Sequence, residues 1–271
     1  MNALPPYIIL DKPVGQTPLQ TVEFWRLRQG AEYRDVPLAY AGRLDPMASG
    51  KLLILIGEEC KVQEKYHGLD KTYLFSVLFG ASSDSGDVLG LITESGAQIV
   101  TSTKLETQTP RLAGDVELPY PIYSSRTVHG KPLHTWALEN RLSEITIPTK
   151  RSTIYTLDLE KVETMTRTEI YVKASTKIDS LPPVTDPKKA LGNDFRRPQV
   201  RETWQAFREN GGPEDRFTIA TFRCTASSGT YMRTLAEEIA KVVNTTGLAF
   251  SIHREEIGRY DNQHKAWLET F

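Results

Sequence analysis

The sequence contains little cysteine, no excess of charge of one sign and no long apolar run. Its two cysteines, Cys60 and Cys224, are too few for a disulfide framework and lack the spacing of a metal site. The 33 basic and 34 acidic side chains nearly cancel, which argues mildly against a nucleic-acid-binding protein, although a local basic face would be enough to hold phosphates. No stretch approaches the ~20 apolar residues of a membrane helix, and the N-terminal segment lacks the pattern of a secretory signal. We therefore expect a cytoplasmic protein.

The order of the predicted elements indicates the α+β class. Apolar or β-rich runs predict strands at residues 7–10, 52–56, 72–79, 170–173 and 217–225. Helices are predicted from Pro18 to about Gln29, at about 200–208 and, by the spacing of apolar residues, at 232–243. Because strands and helices do not alternate regularly, a doubly wound parallel sheet is not favoured. A segment at about 180–213, rich in charge, proline and glycine, is interpreted as an insertion, and its basic pair Arg196-Arg197 as a solvated face.

One aspartate stands directly before a proline in the loop formed by residues 39–50. Asp45 precedes Pro46, so its backbone is held extended. Gly42 and Gly50 permit close approach of other backbone segments, and an apolar strand follows directly. An acidic side chain on a tight loop beside a core strand is typical of a reactive group, although Asp-Pro pairs taken alone are more often caps or turns.

Six segments, in order along residues 7–260, resemble the TruB type of pseudouridine synthases. Residues 40–52 (YAGRLDPMASGKL) resemble the catalytic-aspartate segment of that family. The other segments are 10–15 (LDKPVG), 70–73 (DKTY) followed by Gly80, Asp84 and Asp87, 120–125 (YPIYSS) followed by Gly130, Lys131 and Leu133, 229–235 (GTYMRTL), and 252–254 (IHR) followed by Ile257 and Gly258. Together these segments are far more specific than any one of them.

The sequence departs from the family pattern at several positions. The family usually has histidine where Tyr40 stands and leucine where Ile252 stands. Arg43 gives the aspartate loop a form that also resembles the RluA and RsuA branches of pseudouridine synthases, but the other segments favour TruB. No C-terminal PUA domain is expected after Phe271, and the insertion at 180–213 is longer than in compact family members.

The resemblance implies both a fold and a function. The fold would be the pseudouridine synthase fold, a central mixed and mainly antiparallel sheet with flanking helices and RNA-gripping insertions. It would form a single catalytic domain over residues 1–271, with an RNA-gripping segment at about 120–150. The function would be isomerisation of a uridine to pseudouridine in tRNA, expected at uridine 55 of the T loop, with the T-arm stem-loop as the partner. All reacting atoms belong to the substrate, so we expect no cofactor, no metal and no obligatory protein partner, and a monomer.

The resemblance assigns catalytic roles to Asp45, Tyr73 and Arg233. One carboxylate can act as nucleophile or as base, and both roles are open for Asp45. Arg233 lies in the first turn of a predicted helix, where the helix dipole disfavours a cation by ~0.3–1 kcal/mol, so a carboxylate or phosphate partner is expected. The alternative for Arg233 is a surface arginine paired with Glu237. Tyr73 would stack on the uracil and assist removal of the C5 proton, the alternative being a core tyrosine.

The resemblance also implies a set of substrate-binding residues. They are Lys12, Tyr40, Arg43, Tyr123, Arg126, Lys131 and Ile252. Tyr40 would stack in place of the histidine of the family, and Lys12 would support the cleft or contact a phosphate. The aromatic and basic residues from Tyr123 to Lys131 would grip RNA, whereas without the resemblance this stretch is an ordinary polar loop.

Three alternative functions are compatible with parts of this pattern. A synthase for another tRNA or rRNA uridine would share all of these residues. A non-catalytic RNA-binding or tRNA-folding protein with the same fold is disfavoured because Asp45, Tyr73 and Arg233 are all present. An unrelated carboxylate hydrolase would need a second catalytic acid or a metal site, and no such group stands out in the sequence.

Overall fold

The computed structural model of the protein describes residues 4–184 and 194–271. Its strands and helices follow one another along the chain without regular alternation. The strands are β1 (Tyr7–Lys12), β2 (Leu38–Tyr40), β3 (Ala48–Ile56), β4 (Asp70–Phe79), β5 (Ala81–Ser83), β6 (Ile92–Glu94), β7 (Gly114–Pro119), β8 (Thr127–Val128), β9 (Lys131–Pro132), β10 (Thr149–Thr166), β11 (Arg216–Ala226), β12 (Gly247–Asp261) and β13 (Ala266–Thr270). The helices are α1 (Pro18–Arg26), α2 (Ser102–Gln108), α3 (Leu133–Leu138), α4 (Arg167–Asp179), α5 (Arg197–Glu209) and α6 (Met232–Val242).

A single large sheet organises the fold. In the described residues nine strands form it, in the order β1-β3-β12-β4-β11-β10-β7, with β2 paired to β3 and β13 paired to β12. The pair β12–β3 is parallel and the other pairs are antiparallel. The expected α+β class, with a mixed and mainly antiparallel sheet, is therefore confirmed.

Both α1 and α6 cover the same face of this sheet. Ala48 pairs with Ile252, and Ile252 pairs with Phe75, so these three side chains lie on one face. Phe75 packs in one core cluster with residues of α6. Leu52, four residues beyond Ala48, lies on the same face and packs against Val22 of α1. The loop that leads into β3 therefore enters the sheet between the two helices.

Helix α1 begins where the sequence predicts. Thr17 accepts a hydrogen bond from the backbone of Gln20, whose side chain bonds back to Thr17, and Pro18 occupies the first turn. The helix ends at Arg26 rather than at about Gln29. The N–H of Leu27 still bonds to the carbonyl of Glu23, four residues back, but those of Arg28 and Gln29 form tighter turns to Trp25 and Arg26, three residues back. Such turns satisfy the last carbonyls of a helix without extending it.

The strand predicted at residues 170–173 is wrong, because these residues lie in helix α4. Thr166 caps the helix together with Glu169, in a capping box that the prediction overlooked. Ile170, Ala174 and Ile178 are buried at intervals of four residues, which is the spacing of one helix face. A run of four apolar and polar residues could not distinguish this helix from a strand without its wider context.

The predicted insertion is built into the core of the domain. Its helix α5 is confirmed, and Val200, Trp204 and Phe207 bury their side chains against α4 and the sheet. Residues 185–193 of the insertion lie outside the described residues. The interpretation of Arg196-Arg197 as a solvated face is wrong: Arg197 is only 7% exposed and donates to the carbonyls of Leu181 and Pro182.

Gly42 and Gly50, the two glycines that flank Asp45, differ in how closely other atoms approach their backbone. Both have a positive φ, but a Cβ on Gly50 would lie 2.2 Å from the carbonyl oxygen of Arg254, whereas the nearest atom to a Cβ on Gly42 is 3.8 Å away. Gly42→Ala should lower the free energy of unfolding by about 1–3 kcal/mol through backbone strain. Gly50→Ala should lower the free energy of unfolding by about 1–3 kcal/mol more than Gly42→Ala, or prevent folding, because its Cβ would overlap the backbone of Arg254. Urea denaturation of both variants measures this, and equal losses would contradict it.

Candidate active site

Asp45 lies in the loop between β2 and β3, which enters the sheet between α1 and α6. Its carbonyl accepts a hydrogen bond from the N–H of Ala48, and the next carbonyl, of Pro46, accepts one from Gly15, just before α1. These bonds fix the loop to the sheet on one side and to the start of α1 on the other. The Asp45 side chain itself is 39% exposed, so a substrate can reach its carboxylate.

Arg233, the second residue of α6, is the cation beside this carboxylate. Its Nε lies 2.9 Å from Oδ2 of Asp45, and its Nη2 donates a hydrogen bond to Oδ1 over 3.3 Å. The expected juxtaposition of the two side chains is confirmed, and the alternative pairing of Arg233 with Glu237 is wrong. The partner explains why a cation is tolerated at the positive end of a helix dipole.

The guanidinium of Arg233 is buried and held from several sides. Its Nη1 donates to the carbonyl oxygens of Ser85 and Tyr123, at 3.0 and 3.3 Å, and its Nε lies 3.7 Å from the buried carboxylate of Asp87. Burial lowers the pKa of Arg233, but the charges of Asp45 and Asp87 more than offset this and raise it above its ordinary value. Burial likewise raises the pKa of Asp87, and the charge of Arg233 opposes that shift.

The contact between Arg233 and Asp45 is not yet an ideal bidentate pair. The Nε–H of Arg233 makes no hydrogen bond of good geometry with any described residue, although Nε is close to Asp45. Catalytic hydrogen bonds often become well aligned only when substrate is bound.

Lys12, at the end of β1, forms the other wall behind Asp45. It is completely buried, and its Nζ donates to the carbonyl oxygens of Pro13 and Gln16, at 2.9 and 2.6 Å. Burial lowers its pKa from 10.5 to about 8, which the charge of Asp45 opposes. Lys12 thus has no exposed surface, and its expected role in supporting the substrate site or contacting a phosphate stays a prediction.

Two further buried cations lie under the same loop. Arg254 of β12 is 1% exposed, and it donates through Nε to the carbonyl of Lys51 and through Nη1 to that of Arg43. Lys71 of β4 donates to the carbonyl of Leu69, and burial lowers its pKa to about 8, an effect that the charge of Arg254 strengthens. The field beneath the Asp45 loop is therefore positive, which favours an anionic ligand.

Tyr73 and Ile252 lie on the face of the sheet that carries α6. Tyr73 is half-buried on β4 and packs against the main core cluster, two residues from Phe75 and therefore on the same face. Ile252 pairs with Phe75 across β12 and is 6% exposed. Both residues therefore lie on the side of the sheet where Arg233 meets Asp45.

Tyr40 and Arg43 lie on the opposite side of the Asp45 loop from α6. Tyr40 ends β2 and packs against the cluster that includes Val22 of α1. The guanidinium of Arg43 is exposed and lies 5.9 Å from the centre of the Tyr40 ring. Its Nη1 reaches the hydroxyl of Ser125 at 3.5 Å, so the Asp45 loop touches the segment predicted to grip RNA.

That segment is an ordered hairpin followed by a short helix. Strands β8 and β9 pair, and the indole of Trp136 in α3 donates to the carbonyl of Val128. Arg126 is exposed, with its guanidinium 5.0 Å from the centre of the Tyr120 ring. Lys131 instead is paired with Glu139 at 2.7 Å, so its charge is partly neutralised within the segment.

The sequence prediction missed the supporting residues of the site. Asp87, Lys71 and Arg254 were recognised only as parts of motifs, although charged residues within apolar strands are a signal of buried ionic contacts. Among the described residues no group of three or more His, Cys, Asp and Glu side chains could hold a metal ion. No helix of the described chain is long and apolar enough to cross a membrane.

The buried ammonium of Lys12 predicts a specific pH dependence. Its pKa is about 8 in the folded protein and near 10.5 when unfolded, so from pH 7 to 9 the folded state loses a proton that the unfolded state keeps. The free energy of unfolding of the wild type should therefore rise with pH relative to Lys12→Met, by on the order of 1 kcal/mol. Urea denaturation at pH 7, 8 and 9 measures the difference. Lys265→Met, in an exposed turn, is the control, and parallel curves for wild type and Lys12→Met would refute the prediction.

Comparison with known proteins gives relatives of one kind. The tRNA pseudouridine synthase B of Caldicellulosiruptor saccharolyticus is 28% identical over 254 residues, which cover 94% of this chain and 68% of that protein. That of an Azoarcus species is 36% identical over 155 residues, 56% of this chain and 49% of that protein. This chain thus spans about half to two thirds of the length of these relatives.

A similar solved structure and a matching family model indicate the fold and the family of this chain. The crystal structure of a Cbf5-Nop10-Gar1 complex contains a chain with the same fold, at a TM-score of 0.53 and 14% identity, covering 93% of this chain and 48% of that chain. The family model described as the N-terminal domain of TruB family pseudouridylate synthases matches residues 33–178, more than half of the sequence. The chain therefore belongs to the TruB family of pseudouridylate synthases.

Proposed function

We propose that this chain converts a uridine of tRNA to pseudouridine, with uridine 55 in the T loop as its target and Asp45 as the catalytic group. The observation that carries the proposal is the pair of Asp45 and Arg233. The side chain of Asp45 is 39% exposed, and the buried Arg233 contacts its carboxylate through Nε and Nη2. Asp45 also lies in residues 40–52, which resemble the catalytic-aspartate segment of the TruB family, and this distinguishes the pair from a structural one such as Arg167 and Asp215.

The reaction is an isomerisation in which the atoms of the substrate suffice. The bond between N1 of uracil and C1′ of the ribose breaks, the base turns, and a bond forms between C5 and C1′. The proton on C5 is then lost and N1 gains one, so no net proton is exchanged. Asp45 acts at this centre as nucleophile or as base, and the positive charge of Arg233 stabilises its anionic form.

The surroundings of Asp45 are suited to a flipped base. Tyr73 and Ile252 share the face of the sheet on which Arg233 lies, and they offer an aromatic and an aliphatic surface to a planar uracil. Unstacking a base costs a few kcal/mol, which such contacts repay. In this proposal Tyr73 stacks on the uracil and assists removal of the C5 proton.

Residues around Asp45 would hold the RNA near that base. Arg43 and Arg126 are exposed, whereas Tyr40, Tyr123 and Lys131 are partly buried. Arg43 reaches Ser125, which lies in the same segment as Tyr123 and Arg126. Guanidinium groups that stack on aromatic rings are pre-organised for phosphates and bases. In this proposal the partner is the T-arm stem-loop of tRNA, and recognition of tRNA is supported by the name tRNA pseudouridine synthase B of the relatives.

The catalytic role of Asp45 predicts a separation of binding from chemistry. Asp45→Asn keeps the shape of the side chain but removes its charge, so the rate of pseudouridine formation in a T-arm hairpin should fall by about 10²–10⁴-fold or more. Affinity for the hairpin should change little. Single-turnover assays with a hairpin labelled at the target uridine, and filter binding of the same RNA, measure the two quantities.

The matched control for this test is Asp115→Asn. Asp115 is exposed on the edge strand β7 and accepts a hydrogen bond from Thr153, which an amide oxygen can also accept. It should retain the rate of the wild type. Substantial activity of Asp45→Asn would exclude the proposed mechanism, and an inert hairpin with a reactive whole tRNA would show that recognition extends beyond the T arm.

The exposed guanidinium of Arg126 predicts a phosphate contact. Arg126→Gln should weaken RNA binding and lower the slope of log affinity against log salt concentration by about 0.7–0.9, the contribution of one phosphate. Its rate at saturating RNA should not change. Arg126 is preferred to Lys131 for this test because Lys131 already pairs with Glu139.

Lys265→Gln is the control for a change in charge alone. Lys265 is exposed in the turn between β12 and β13, about 30 Å along the strand from Ile252 at ~3.3 Å per residue. The salt slope of this variant should equal that of the wild type. An unchanged slope for Arg126→Gln, or equal losses in both variants, would remove Arg126 from the RNA-binding surface.

A further inference from the structure

The hydrogen bonds that fix Arg233 come from two separate loops. The loop between β5 and β6 supplies the carbonyl oxygen of Ser85, and the segment after β7 supplies that of Tyr123, which accepts from both Nη1 and Nη2. A buried guanidinium keeps its orientation only as long as these acceptors stay in place. The relative position of the two loops therefore decides where Arg233 meets Asp45.

Arg196, from the insertion that precedes α5, contacts both of these loops. Its Nη1 and Nη2 donate to the two carboxylate oxygens of Asp84, at 2.5 and 3.3 Å. Its guanidinium also lies 4.1 Å from the centre of the Tyr123 ring. Asp84 directly precedes Ser85, so Arg196 bridges the residues that provide the acceptors of Arg233.

We propose that Arg196 is a positioning residue for catalysis, which clamps the Ser85 and Tyr123 loops together and so holds Arg233 against Asp45. This inference rests on the proposed isomerase function. It assigns to the insertion at 180–213 a role in orienting the catalytic pair, beyond its contribution to the core.

The surroundings make this arrangement a fixed one. The Arg196 side chain is only 18% exposed. Asp84 is itself held, because its Oδ1 accepts the backbone N–H of Leu91 at 2.8 Å. Helix α5 grips the same loop further along, where the indole of Trp204 donates to the carbonyl of Val88 at 3.0 Å. Helix α5 thus contacts the β5–β6 loop, and Arg196 adds a contact with Tyr123 in the segment after β7.

The chemistry of the clamp requires arginine. A guanidinium can bond both oxygens of a carboxylate in its plane and stack on a ring with its face at the same time. Lysine keeps the charge but lacks both the fork and the flat face. Charge alone would therefore not replace this contact.

The experiment compares Arg196→Ala and Arg196→Lys with the wild type and with Arg201→Ala. Arg201 is a matched control in helix α5, which begins directly after Arg196, and it is exposed at the surface and paired with Asp179. At saturating T-arm RNA, Arg196→Ala should lower kcat by about ten-fold and change KM by less than about two-fold, as expected for an interaction that acts only on the chemical step. Arg196→Lys should resemble Arg196→Ala, and Arg201→Ala should resemble the wild type.

Hydrogen exchange provides a second measurement that does not depend on activity. Amides of residues 84–91 and 120–126 should exchange faster in Arg196→Ala than in Arg201→Ala. If Arg196→Ala does not fold, Asp84→Asn, which keeps the side-chain shape and removes the charge, serves for both measurements. A wild type without activity on RNA would end the proposed function, while the exchange comparison would still decide the clamp.

Three results would overturn the clamp. The first is a raised KM with a lower salt slope and an unchanged kcat, which would make Arg196 a direct phosphate contact. The second is unchanged kcat together with unchanged exchange in both loops. The third is full activity of Arg196→Lys, which would show that charge without the bidentate and stacked geometry is sufficient.

Discussion

The ion pair between Arg233 and Asp45 is the interaction on which the site depends. A guanidinium that is 5% exposed cannot be left without partners, since an unpaired buried charge costs several kcal/mol. Arg233 therefore needs several hydrogen-bond acceptors. They come from the β5–β6 loop, the segment after β7 and the β2–β3 loop. Of these acceptors, Asp45 has a side chain that is 39% exposed, so its carboxylate stays accessible while it pairs with the arginine.

The sheet beneath supports this pair electrostatically. Lys12, Lys71 and Arg254 project from β1, β4 and β12 under the Asp45 loop, and each is satisfied mainly by backbone carbonyls. Arg254 also donates to the carbonyl of Arg43 in the loop itself. Bonds to carbonyls do not neutralise the cations, so the field beneath the loop stays positive.

The insertion shows how a peripheral segment can reach the chemical centre. Helix α5 buries Val200, Trp204 and Phe207 in the main core, which places its N-terminal end beside Asp84. From there the guanidinium of Arg196 reaches the ring of Tyr123. Burial of Tyr123 and the charge of Asp84 raise the pKa of its hydroxyl to about 12. Packing on one side of the domain is thereby linked to the orientation of Arg233 on the other.

The sequence alone determined the elements with strong local signals and the pairing of distant motifs. The capping box of α1, the apolar strands and the helical spacing after Gly229 are local, and the resemblance of six segments sufficed to place Asp45 beside Arg233. Tertiary structure alone decided that Lys12 is buried and that Arg196 contacts Tyr123 rather than solvent. The helix at residues 170–173 had local signals that the prediction overlooked, the capping box of Thr166 and Glu169 and the helical spacing that follows. The reason is physical: caps and apolar periods act within a few residues, whereas burial and ionic partners depend on segments that meet only after the chain has folded.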